Sequence, residues 1–168
     1  ICRSNGITLG DGTMLLPLHV AVGTDGRSVS SVFRSLDKGI TWNKVGSVKA
    51  LDGFAGEEPA IVQLHDGSVL MALRSNDGHI WFSFSQDKGD TWSSPFPSEF
   101  DAAQCSAALF RTRSGRVLLA YNDCKPPQRT PLVIRELDQK SMKWGEPIMV
   151  AMVPTDKTNA ARSIRQVC

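Results

Sequence analysis

Apolar residues along this chain come in short runs broken by turn signals, and the arrangement repeats three times. GITLGDGTMLLPLH is followed by SLDKGITW, PAIVQLHDGSVLMALR by SQDKGDTW, and SAALFRTRSGRVLLAYN by ELDQKSMKW. The closing tryptophans, Trp42, Trp92 and Trp144, stand 50 and 52 residues apart. The turn glycines, Gly12, Gly67 and Gly115, stand 55 and 48 apart. Three units of about 50 residues therefore account for most of the chain.

Each unit predicts four short strands. A first apolar run ends at Asp11-Gly12, Asp66-Gly67 or Ser114-Gly115. Asp-Gly between apolar runs signals a hairpin, and a two-residue type I′ turn is expected there because it needs positive φ. Second strands are expected over Thr13–Leu18, Ser68–Leu73 and Arg116–Tyr121, and third strands over Ser28–Arg34, His79–Ser85 and Pro131–Glu136. A further turn leads to the tryptophan and a fourth strand. No segment carries a convincing helical pattern. The expectation is an all-β chain of β-propeller blades over residues 4–50, 56–100 and 103–150, within a partial propeller at 1–153, with a divergent or truncated tail at 154–168.

Two octapeptides, Ser35–Trp42 and Ser85–Trp92, share the pattern S-x-D-K-G-x-T-W at the same phase of the repeat. The residue types suit a fastened turn. Asp37 and Asp87 accept backbone N–H bonds, Gly39 and Gly89 supply conformational freedom, and Trp42 and Trp92 are expected to bury their rings against a neighbouring sheet. One carboxylate per loop is too few for calcium, which wants six or more oxygens. In the third unit the pattern decays, because Asp138 is one residue too far from Trp144 and no glycine intervenes.

Composition narrows the function classes. Lys plus Arg number 19 and Asp plus Glu 17, a net charge of +2, too balanced for a surface built on nucleic-acid phosphates or anionic membrane. The 41% apolar content argues against disorder, and no apolar run approaches a membrane span of about 20 residues. Cys2, Cys105, Cys124 and Cys168 form no Cys/His metal pattern, and His19, His65 and His79 are too scattered for one. Spacing leaves a Cys105–Cys124 disulfide open. No phosphate loop or nucleophile elbow is present, so no cofactor or metal is expected.

The octapeptides resemble the Asp-box of the sialidase superfamily of propellers, with Ser35, Asp37, Gly39, Thr41, Trp42 and Ser85, Asp87, Gly89, Thr91, Trp92 in the matching positions. The resemblance runs from Gly6 to about Val150 and includes GEEPAIVQLHDGSVLMALR at Gly56–Arg74. It implies a six-bladed propeller of which about three blades are present. Together with Ile1 in place of a methionine, this leads to the expectation of a fragment. The compartment stays open, with a lean towards secreted or lumenal.

The turn serves as a ruler along the repeats. Eight residues after Asp11, Asp66 and Ser114 stand His19, Arg74 and Asn122, and eight before them stand Arg3, Glu58 and Ser106. Equivalent positions of successive blades lie around one ring, so these side chains are expected to converge if that ring is the channel mouth. The bland alternative is that strand ends are polar anyway. Glu58 and Arg74 also match the resemblance, which implies a glutamate opening a blade's first strand and an arginine ending the next. Glu57 is a neighbouring candidate. Arg129, in PPQRTPLVIRE, resembles a further arginine of the family, and His19 and Asn122 are weaker binding candidates. Arg135 is expected to face solvent or a sheet neighbour.

The chemistry suits those types. Sialic acid carries a carboxylate on its anomeric carbon, and guanidinium groups bind carboxylates through paired, planar hydrogen bonds. Sialidases use a tyrosine nucleophile, a weak one that needs a carboxylate base against it. By resemblance Glu58 is that base. The only tyrosine, Tyr121, does not match the family nucleophile and reads as strand packing. Asp11, Asp25 and Asp52 have no support as the general acid. The resemblance implies an exo-sialidase-like hydrolase acting on terminal sialic acid or a related acidic sugar of glycoconjugates, with this chain alone inactive. The alternatives are a non-catalytic carbohydrate-binding propeller and a protein-interaction propeller. Sialylated or related acidic glycans are the expected partners, without nucleic acid or a transmembrane segment, and exposed blade edges are expected to self-associate.

Overall fold

The computed structural model describes residues 5–22, 27–48 and 56–152. Arg3, Cys2, Cys168, Asp25, Asp52 and the segment 154–168 lie outside the described residues. All regular structure among the described residues is strand. The first sheet holds β1 (Ile7–Thr8), β2 (Met14–Val22), β3 (Arg27–Ser35) and β4 (Asn43–Ser47) in that order. The second holds β5 (Glu57–Gln63), β6 (Val69–Arg74), β7 (His79–Ser85) and β8 (Phe96–Asp101). The third holds β9 (Ala108–Arg111), β10 (Val117–Asn122) and β11 (Leu132–Asp138), and its outer edge is shared by β12 (Lys143–Trp144) and β13 (Ile148–Ala151). Neighbouring strands are antiparallel throughout.

The first hairpins are built differently from the expected type I′ turn. Gly12 N donates to Leu9 O at 2.9 Å and Leu9 N to Thr13 O at 2.8 Å, so the loop has three residues rather than two. Only its last residue is left-handed, with φ 88° at Gly12 and Gly67 and 87° at Gly115. This is a type I turn closed by a left-handed glycine. It explains why Ser114 can replace Asp at the preceding position, which needs no positive φ. Where Asp is present its Oδ1 accepts the N–H two residues on, from Thr13 or Ser68, at 3.0 Å.

The second sheet is the centre of the packing. Ile61, Val69, Met71 and Leu73 meet Leu9, Leu15, Val32 and Val48 of the first sheet region. Val62, Leu70, Ala72 and Phe82 meet Leu109, Val117, Leu119, Tyr121 and Val133 of the third. Side chains alternate across a strand, so a strand covered on both faces reads as an unbroken apolar run. That is the run VLMAL in β6, every residue of which is buried.

The two octapeptides fold alike. Ser35 Oγ donates to Asp37 Oδ1 at 2.7 Å and accepts Gly39 N at 2.8 Å. Asp37 accepts Thr41 N at 2.9 Å and Thr41 Oγ1 at 2.6 Å, and Trp42 Nε1 donates to Gly39 O at 3.0 Å. Ser85, Asp87, Gly89, Thr91 and Trp92 repeat these bonds. Lys38 and Lys88 are left-handed as well as the glycines that follow them. The bonds to Thr41 and Ser35 pull the Asp37 carboxyl down to about 2.

Their surroundings differ, which corrects the expectation of two buried rings. The second turn lies on the first sheet, with Asp90 bonded to Arg34 at 2.7 Å and Lys88 to Asp11 at 2.5 Å, and Trp92 packs against the core there. The first turn leaves Trp42 36% exposed beside Leu36 at 77% and Ile40 at 82%. The third unit's turn uses Asp138 to accept Lys140 N and Ser141 Oγ, and Trp144 stacks on Phe82 at 5.4 Å.

Candidate functional site

The site begins with an irregularity at the start of β5. Glu57 pairs with Arg74 in the ladder, but the next register pair is Ala60 with Ala72. One extra residue is therefore accommodated between them, a β-bulge, and Glu58 within it is left-handed with φ 48°. A regular strand would send Glu57 and Glu58 to opposite faces. The bulge instead brings both carboxylates to Arg74, whose Nη1 lies 3.2 Å from Glu57 Oε2 and 3.5 Å from Glu58 Oε1. A left-handed non-glycine residue stores strain and persists where its surroundings hold it. Glu58 is held, since its other oxygen, Oε2, accepts Ser106 Oγ from the third sheet's entry at 2.5 Å.

Arg74 ends β6, and its side chain is 24% exposed. Its Nη1 serves both glutamates, while its Nε is buried with no hydrogen-bond partner. Arg129 lies in the loop between β10 and β11. Its Nη1 donates to Cys105 Sγ at 3.1 Å, and its carbonyl accepts Asn122 Nδ2 at 2.7 Å. Cys105 and Ser106 are consecutive, so Arg129 and Glu58 are gripped by one dipeptide. Asn122 is buried and serves the loop backbone. His19 stands opposite Ser30 in the β2–β3 ladder, and Ser30 Oγ donates to Gly56 O at 2.5 Å, the residue before Glu57. The structure thus gathers Glu57, Glu58, Arg74 and Ser106 by direct contact and connects Arg129 and Asn122 to them through Cys105–Ser106. No disulfide joins Cys105 to Cys124.

Sequence reasoning missed two features. Cys105 had no assigned role, and its contact with Arg129 depends on a loop that closes across 24 residues. Arg135 does meet a sheet neighbour, but within a wider cluster: Nε donates to Tyr121 Oη at 2.7 Å, Nη1 to Gly145 O at 2.8 Å, and the guanidinium lies 4.7 Å from the Phe100 ring centre. Tyr121 is 2% exposed, and burial pushes its hydroxyl up to about 12. A buried phenol of that kind is a packing residue.

The three meandering antiparallel sheets, packed side by side in chain order, define a repeat protein built of small four- to five-stranded units. The BNR repeat-like domain model matches residues 1–159, and the chain belongs to that family. No curated protein sequence matches it. Solved structures resemble it in fold at low identity. A protein of unknown function from Dyadobacter fermentans is 20% identical with a TM-score of 0.75, over 92% of this chain and 42% of that one. A variant of the NanB sialidase from Streptococcus pneumoniae is 18% identical with a TM-score of 0.67, over 89% of this chain and 23% of that one. An α-L-arabinanase from Penicillium chrysogenum, complexed with arabinobiose, is 19% identical with a TM-score of 0.65, over 89% of this chain and 49% of that one. The chain therefore spans less than half the length of each of these proteins.

Proposed function

We propose that Glu57, Glu58 and Arg74, with Arg129 beside them, form part of a sialidase-like glycoside hydrolase site for terminal sialic acid or a related acidic sugar, within a six-bladed ring. The observation that carries the reading is Arg74: a guanidinium braced at Nη1 by two carboxylates at the end of β6, its side chain still 24% exposed. That exposed part of the guanidinium is what a ligand carboxylate would meet. Glu58, 9% exposed and oriented by Ser106, suits the base that would activate a phenol. Glu57 and Glu58 balance the charges of Arg74 and Arg129, so these four residues carry no net positive charge, and tight binding needs a further cation from other blades. The exposed Leu36, Ile40 and Trp42 on the first sheet's turn and Ile148, Met149 and Val150 on β13 are apolar surfaces of the kind that closing a ring would cover.

A second reading has its own support. Tyr121 is buried with a raised hydroxyl, so the residues described here provide binding without a nucleophile. Titration of this chain with N-acetylneuraminic acid and with arabinobiose tests both readings. The expected result is weak affinity for the acid, on the order of millimolar, lost several-fold in Arg74→Lys, and no hydrolysis of a fluorogenic sialoside. Equal affinity for arabinobiose, or an unaffected Arg74→Lys variant, would refute an acidic-sugar site.

A further inference from the structure

We infer that Cys105–Ser106 is a positioning dipeptide that fixes Glu58 and Arg129 relative to one another for an anionic ligand; the inference rests on the acidic-sugar reading. Glu58 comes from the second sheet and Arg129 from a loop of the third. Nothing in either ladder sets their spacing. The dipeptide does, because its own segment is pegged to both sheets. Ala102 N donates to Gly78 O at 2.7 Å and Gln104 Nε2 to Asn76 O at 2.9 Å on the second sheet's side, while Ala103 N donates to Asn122 O at 3.0 Å on the third's. Cys105 N closes back on Ala103 O at 2.7 Å.

The two side chains do different work. Ser106 Oγ donates to Glu58 Oε2 at 2.5 Å, which stops that carboxylate from turning both oxygens onto Arg74. A fully chelated Arg74 would have less to offer a ligand. Cys105 Sγ accepts Arg129 Nη1 at 3.1 Å. A thiol is a weak acceptor, and here it orients the guanidinium.

The test uses isotope-labelled chain, with backbone amide spectra to establish that each variant is folded. Ser106 is exposed, so Ser106→Ala should fold normally. Its affinity for N-acetylneuraminic acid should fall about ten-fold or more, the effect of one hydrogen bond to a charged group, while Ser106→Thr, which keeps the hydroxyl, stays within about two-fold. Arabinobiose affinity should be the same in all three. Cys105→Ala should speed exchange of the Arg129 Nη1 protons, and Cys105→Ser, which keeps an acceptor, should not. Unchanged acid affinity in Ser106→Ala would overturn the inference. If the unaltered chain binds no acidic sugar, the functional reading fails. The side-chain signals then decide the inference by themselves: altered Glu58 carboxyl and Arg129 signals in the alanine variants sustain it, and unaltered ones overturn it.

Discussion

Replacing Gly46 by alanine should prise the second octapeptide turn off the first sheet. Gly46 is a buried β4 residue opposite Val32, and its φ is not left-handed, so the backbone accepts alanine. By chain entropy alone the change would stabilise, by about 0.4–1 kcal/mol. The surroundings reverse the sign. The new Cβ would stand 2.1 Å from Gly89 O and 2.7 Å from Asp90 O, whereas real Cβ contacts stay above 3.0 Å. The turn must therefore withdraw by about 1 Å. That lengthens the Arg34–Asp90 bond of 2.7 Å past hydrogen-bonding range and loosens the packing of Trp92. Overpacking of this kind costs about 1–3 kcal/mol, and an exposed ion pair adds at most about 1 kcal/mol. The net expectation is a loss of about 2 kcal/mol, read from urea unfolding followed by tryptophan fluorescence. Gly10→Ala is the control, since its Cβ would meet nothing nearer than Gln63 Oε1 at 3.9 Å. A Gly46→Ala variant as stable as the unaltered chain would refute the close approach of the two sheets.

Asp87→Ala removes three hydrogen bonds of a largely exposed turn and should cost about 1–2 kcal/mol in the same unfolding assay; a change under about 0.5 kcal/mol would mean that the turn is held by its backbone alone. The turn carboxyls of Asp37, Asp66, Asp87 and Asp138 are held below their ordinary 3.8 when folded, so their contribution is complete above about pH 4 and fades as pH falls towards 2. Acid unfolding monitored by circular dichroism should fall in that window, and a midpoint above pH 5 would count against it. Tyr121, raised from 10.0 to about 12 by burial, favours the folded state fully below pH 10 and loses that contribution between 10 and 12. Absorbance at about 295 nm should show its ionisation only together with unfolding; a reversible titration near 10 in the folded chain would contradict the buried hydroxyl.

The turns were legible because their bonds are local. Ser35 to Asp37, Asp37 to Thr41 and Trp42 to Gly39 span no more than four residues, so the octapeptide carries nearly all that it needs to close. The same holds for Gly12, Gly67 and Gly115, whose positive φ is required by the hairpin around them. Repetition of these local units was enough to indicate small antiparallel sheets. Glu58 and Arg74 were singled out in the sequence by repeat phase and family likeness.

Other features depend on residues distant in the chain. Trp42 and Trp92 close identical turns, yet one ring is packed and the other is 36% exposed, because a tryptophan's burial depends on which sheet lies next to it. The bulge that turns Glu57 and Glu58 onto one arginine leaves no mark in a pattern of apolar and polar positions, since one inserted residue changes the facing of a strand without changing its composition. Cys105 gained its neighbour only when the loop carrying Arg129 folded back over it. Local hydrogen-bonding chemistry is written in the order of residues, whereas the spacing between side chains on different sheets is fixed by how the sheets pack.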